Sequence, residues 1–272
     1  QNARSFVAHL QAKDSRYQNH PIAPTQEGGL SQHTIHGYVR ALKAFSRSLT
    51  TEGFFNRDPL ERLNRPKLPQ TVIETLTDEE IKRLLASINP NCMLGARALV
   101  IVVMLLDTGI RASELLSLTL GNTDLSGDRL KVMGKGSKER IVPLSPAAKK
   151  VLMRWLSTFR PEAQDPHFEE VLLSAEGTPL SYTALAHIIK RLGEKAGVDR
   201  LHAHLFRHTF AVRYLVAGGD AFTLRSILGH NDISTTQVYM HLADAQVAVR
   251  YNAFSPLSNI EGIKIGGRRK RP

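Results

Sequence analysis

A single cysteine, Cys92, occurs in 272 residues, so the chain can form no intramolecular disulfide and no cysteine-rich zinc site. A reducing cytoplasm is the setting that fits. Long apolar runs are also missing. The longest, Ala98 to Leu106, falls well short of the roughly 20 residues that span a bilayer, so it reads as a buried helix and no membrane partner is expected. There is no P-loop, which leaves no nucleotide site, and no H-E-x-x-H pattern to hold zinc. Asp107, Glu114 and Asp124 lack a recognisable metal-ligand spacing. No cofactor and no metal are expected. The chain opens at Gln1 without Met or a signal-like segment, which reads as the inside of a longer protein lacking an amino-terminal piece.

Positive charge is what the chain has in excess. A net charge of +11 points to a polyanionic partner, because neutralising phosphates releases counterions. The excess sits at the two ends. Residues 1 to 70 hold ten Lys/Arg against five Asp/Glu, residues 71 to 263 are almost balanced, and residues 264 to 272 hold five cations and no acid. Such a layout suits a first segment that grips a DNA backbone and a middle that does chemistry with a few placed cations.

The first strong helical signal is SQHTIHGYVRALKAFSRSLTTEG, with Ile35, Tyr38, Val39, Leu42, Phe45 and Leu49 at helical spacing, Ser31 as cap and Gly53 at the end. His36, Arg40, Lys43 and Arg47 form a basic stripe on another face, a candidate DNA contact. The segment NRPKLPQ (64–70) reads as an extended linker, so the boundary is placed there: a small helical unit over 1–68 and a larger one over 69–272.

The larger unit starts with a capping box from Thr77 to Glu80. Gly109 marks a turn before a helix through Arg111, Glu114 and Leu115. RLKVMGKGSKERIVPL predicts a β-hairpin with Lys135 at its tip. Ser145 and Pro146 start a helix running to about Phe159, a short strand is expected over Val171 to Ser174, and a helix over Ser181 to Ala196. Three further helical stretches are separated by Gly218, Gly219 and Gly229. The fold class is mainly α with one small antiparallel β-sheet (α+β).

Four segments carry the chemistry: TGIRASELLSL, GKGSKERIVPL, HLFRHTFA and LGHNDISTTQVY. A phosphodiester needs charge stabilisation on its oxygens, an aligned nucleophile and a proton for the leaving group. Arginine forks suit the first task. Taken singly, Arg111 could merely pair with Glu114, and His204 with His208, as ordinary helix neighbours.

Together and in this order, the segments resemble the catalytic domain of the tyrosine recombinase, or phage integrase, family. The resemblance implies that Arg111 and Arg207 clamp a scissile phosphate and that Lys135 protonates the departing 5′ oxygen. His204 and His230 supply hydrogen bonds and acid–base support. Tyr239 attacks to form a 3′-phosphotyrosyl bond, and Glu114 holds Arg111 in place. It further implies a core-binding domain in the first unit, double-stranded DNA as partner, a homotetramer on two DNA sites, and a tail after Tyr239 that docks on a neighbouring subunit. A prokaryotic, nucleoid-associated protein of integration, excision or resolution fits this set. A type IB topoisomerase and a non-catalytic DNA-binding regulator are the alternatives.

Overall fold

The structure is a computed structural model that describes residues 2–18, 20–68, 73–134, 139–229 and Tyr239. It divides into two compact units, Gln1–Val72 and Ile73–Pro272.

In the first unit, α1 (Asn2–Ala12) packs on α2 (Gln32–Thr51). Between them a two-residue antiparallel ladder joins β1 (Ser15–Arg16) to β2 (Gln26–Glu27). Helix α2 starts where Ser31 accepts a hydrogen bond from the Thr34 amide, and Gly53 beyond it takes a φ of 83° that suits a residue without Cβ. Leu10, Ile35, Val39 and Leu63 supply the buried apolar side chains of this small unit. Helix α1 carries only a weak pattern, with Leu10 its one buried apolar residue, which is why sequence periodicity did not single it out.

The second unit is built around α4 (Met93–Thr108), whose Val100, Ile101, Met104 and Leu105 are fully buried. The apolar run is therefore the core helix of a globular unit, and no described helix is long and apolar enough to cross a membrane. Helix α3 (Asp78–Ala86) precedes it and opens on the Thr77–Glu80 capping box. Gly109 ends α4 in the left-handed region (φ 62°), and the chain turns directly into α5 (Ala112–Leu116). A three-stranded antiparallel sheet follows, ordered β3 (Thr123–Asp124), β4 (Arg129–Met133), β5 (Glu139–Pro143). Leu130 pairs with Val142 on the core face, while Lys131 and Glu139 form a 2.8 Å ion pair outside. The strand pair matches the expected hairpin; residues 135–138 at its tip lie outside the described residues.

Helix α6 (Pro146–Arg154) begins on the Ser145 cap and continues as a π-helical turn, Trp155–Phe159, which seats the buried Trp155 so that its Nε1–H donates to Val171 O at 2.8 Å. The expected strand over 171–174 is absent. The segment makes only single bridges, Thr119 with Glu170 and Leu173 with Pro179, because the chain turns at Gly177 before a ladder can extend. Helices α7 (Tyr182–Ala196), α8 (Ala203–Val216) and α9 (Ala221–Leu228) complete the described unit, and α8 packs on α4 and α9.

Candidate active site

The site grows from the end of α4. The Gly109 turn delivers Arg111 to the N-cap of α5, where its backbone N–H donates to Glu114 Oε2 at 2.8 Å and its Nη1 to Oε1 at 2.7 Å. Glu114 is 5% exposed and also receives Arg140 from β5, with Nη1 at 2.9 Å from Oε1 and Nη2 at 2.7 Å from Oε2. Burial pushes its carboxyl up, yet hydrogen bonds from Arg140 and the Arg111 amide outweigh it and hold the group at about 2. A buried carboxylate thus stays ionised between two guanidiniums. Arg111 keeps 32% of its side chain exposed, so it is the cation of this set that faces solvent.

Arg207 comes from the first turns of α8 and is 3% exposed. Its Nη1 donates to Gly109 O and its Nη2 to Leu228 O, both at 2.8 Å. Burial, then the neighbouring charge of Arg111, lowers it to about 10, still far above neutrality. A guanidinium has five N–H donors, so each terminal nitrogen retains a hydrogen for another acceptor. Arg140 Nε donates to Ile227 O at 2.7 Å. Two arginines therefore cap successive carbonyls at the C-terminus of α9, where the helix dipole favours positive charge.

His204 is on the same helix, with its ring edge-on to that of His208, centroids 6.0 Å apart. Tyr239 has helical backbone, is 3% exposed and packs with Ala211, Leu224 and Leu228. Its Oη lies 2.7 Å from His208 Nδ1. Burial raises the phenol above its ordinary value, against the opposing pull of the Arg207 and Arg111 charges. Burial likewise lowers His204 and His208, helped in both by nearby cationic groups.

The structure thus groups Arg111, Glu114, His204, Arg207 and Tyr239. Lys135 and His230 fall outside the described residues. Two participants escaped the sequence reading: Arg140, whose signal was an arginine alternating inward on a predicted strand, and His208, which looked like a mere partner of His204. Among the described residues no group of three or more His, Cys, Asp or Glu is placed to hold a metal ion. In the first unit, Arg40 and Arg47 of the basic stripe are exposed and His36 is half-buried. Lys43 is committed internally, its Nζ donating to Glu61 O and Leu63 O at 3.0 and 2.8 Å.

Comparison with known proteins bears on what this arrangement does. The pattern of the phage integrase family matches residues 74–246. The tyrosine recombinase XerD of Staphylococcus aureus (strain N315) is 34% identical over 252 residues, covering 92% of this chain and 85% of the relative. XerD of Listeria monocytogenes serotype 4b (strain F2365) is 31% identical over 238 residues, covering 86% and 80%. The crystal structure of XerA recombinase has a TM-score of 0.58 at 28% identity, covering 83% of this chain and 77% of that one. The Tn1549 transposon integrase in complex with transposon right end DNA has a TM-score of 0.73 at 21% identity, covering 93% and 84%, a likeness of fold.

Proposed function

Because the chain belongs to the phage integrase family, whose tyrosine recombinases break and rejoin DNA at specific sites, we propose that it recombines double-stranded DNA through a covalent link to Tyr239. The observation that carries this reading is the convergence of the Tyr239 phenol with the Arg207 and Arg111 charges in one partly buried place. Arg111 and Arg207 bind the non-bridging oxygens of the scissile phosphate, where planar forks stabilise the charge that grows in the transition state. Glu114 and Arg140 fix the direction of Arg111. Lys135 gives a proton to the 5′ oxygen, and His204 and His230 donate hydrogen bonds to the phosphate. The product is a 3′-phosphotyrosyl bond that conserves the diester energy, so a second 5′ hydroxyl can reverse the step without ATP.

Four copies on two DNA sites, coupled through the segment after Tyr239, complete the reaction; that segment lies outside the described residues. The first unit, the core-binding domain of this reading, contacts the duplex through Arg40 and Arg47. The protein works in the cytoplasm, on nucleoid DNA. Neither a topoisomerase nor an inactive regulator is favoured by relatives that are recombinases.

The test is incubation with a nicked suicide duplex followed by denaturing electrophoresis. A protein–DNA adduct that is absent in Tyr239→Phe is expected. Cleavage that survives that substitution and is abolished by a chelator would overturn the reading.

A further inference from the structure

The phenol of Tyr239 must lose its proton while it attacks. A phenol with a raised pKa is a poor nucleophile at neutral pH, and the two arginine charges near it do not offset its burial. A base in contact with Oη would take that proton as the attack proceeds. His208 Nδ1 is 2.7 Å from that oxygen, inside the range for direct proton transfer.

Resting on the reading above, we propose that His208 is the proton acceptor for Tyr239, taking the phenolic proton on Nδ1 as Oη attacks the phosphate. The Oη–H bond breaks and its proton and charge pass to the imidazole. The Oη–P bond forms, the P–O5′ bond breaks, and the 5′ oxygen takes its proton from a different group. In religation a 5′ hydroxyl attacks phosphorus while giving its proton back to the group that supplied it in cleavage, the Oη–P bond breaks, and the Nδ1–H returns its proton to the departing Oη. Helix α8 then serves both ends of the chemistry from adjacent positions, with Arg207 for the phosphate and His208 for the nucleophile.

The surroundings suit the task. His208 is about half-buried among cationic or potentially cationic groups, His204 and Arg207 on its own helix and His202 at the helix N-cap, with the neutral phenol of Tyr239 opposite. Its burial and those charges keep the imidazole neutral near pH 7, so a lone pair on Nδ1 is free to accept. The tilted ring contact with Tyr239, centroids 5.6 Å apart, fixes the phenol's direction as well. His204, one turn earlier, stands edge-on to His208 and remains available for the phosphate.

The experiment measures single-turnover adduct formation on a nicked suicide duplex from about pH 5 to about pH 9, spanning imidazole titration. Wild type, His208→Ala and His208→Asn are compared on an ordinary substrate and on one with sulfur in place of the bridging 5′ oxygen, whose leaving group needs no proton. The wild-type rate should rise through the imidazole range and level off. His208→Ala should lose roughly 10²- to 10⁴-fold, a typical general-base effect, and bridging sulfur should not restore it. The Asn amide oxygen can orient the phenol in place of Nδ1 but cannot take its proton, so His208→Asn should stay slow and lose the acid limb.

A wild-type rate in His208→Asn would reduce His208 to an orienting group and overturn the proposal. So would recovery of His208→Ala on the sulfur substrate, which would assign it to the leaving group, or a flat wild-type profile, which needs no variant to fold. Failure of wild type to form any Tyr239-dependent adduct would instead overturn the recombinase reading itself.

Discussion

Arg140 and Glu114 meet end-on, with Nη1 bonded to Oε1 at 2.9 Å and Nη2 to Oε2 at 2.7 Å. This pair joins β5 to α5, and Arg111 leans on the same carboxylate. A carboxylate with three donor groups around it orders the arginine that faces solvent. Glu114→Gln keeps the shape and removes the charge, leaving two guanidiniums uncompensated. The expected cost is about 3 to 5 kcal/mol in denaturant unfolding, as for a broken buried pair. Adduct formation should slow by more than the change in DNA binding accounts for.

The same carboxylate gives a pH signature. Its folded value of about 2 lies below the ordinary 4.5, so its stabilisation is complete above pH 4.5 and is lost as pH falls through 2. The gap corresponds to about 3 kcal/mol at 1.36 kcal/mol per unit. The stability difference between wild type and Glu114→Gln should therefore shrink across that window in acid titrations followed by circular dichroism. A constant difference would contradict the assignment.

Gly109 joins the two arginines: its carbonyl receives Arg207 and its turn delivers Arg111. A Cβ there would press into the Phe210 ring, approach Leu228 Cδ2 at 2.9 Å and sit at a φ of +62°. Gly109→Ala should cost roughly 2 to 4 kcal/mol, combining backbone strain with overpacking. Adduct formation should fall with it, because both arginines shift.

Arg207→Lys tests geometry against charge. A lysine keeps the cation but cannot reach Gly109 O and Leu228 O together with a phosphate. The α9 terminus should lose about 1 to 3 kcal/mol of stabilisation from the unmet carbonyl. Cleavage should drop sharply while salt-dependent DNA binding changes little.

On α2 the stripe should split. Arg40→Ala and Arg47→Ala are expected to weaken DNA binding, each reducing the salt slope by about 0.9 per lost phosphate contact. Lys43→Ala should act on stability, since its ammonium holds the carbonyls of Glu61 and Leu63. Fluorescence anisotropy across salt concentrations separates the two outcomes.

Much of this molecule could be read along the chain, where the cause is local. Thr77 and Glu80, Ser31, Ser145 with Pro146, and Gly109 announce helix ends within a few residues, and the structure places those ends there. Two short runs flanking Gly134 and Gly136 announced the β4–β5 pair. What escaped depends on residues distant in sequence. Arg140 finds its carboxylate 26 positions earlier, and His208 meets Tyr239 31 positions later, contacts that no periodicity encodes. Lys43 looked like its neighbours on the stripe until Glu61 and Leu63 turned back onto it. The strand expected over 171–174 failed for the converse reason: the segment is short and apolar, but a turn at Gly177 leaves room for single bridges alone.

Arg207 is frozen before any ligand arrives. Immobilising a free arginine side chain forfeits up to about 2 kcal/mol of rotamer entropy, and here two backbone carbonyls have absorbed that loss during folding. A phosphate therefore meets a fork already aimed, and association need not overcome that disorder. The converse is intolerance: a fixed fork cannot follow a phosphate displaced by an ångström, so a duplex bent or registered wrongly binds without being cut. Rigidity at one arginine thus acts as a geometric gauge of where on the DNA the reaction takes place.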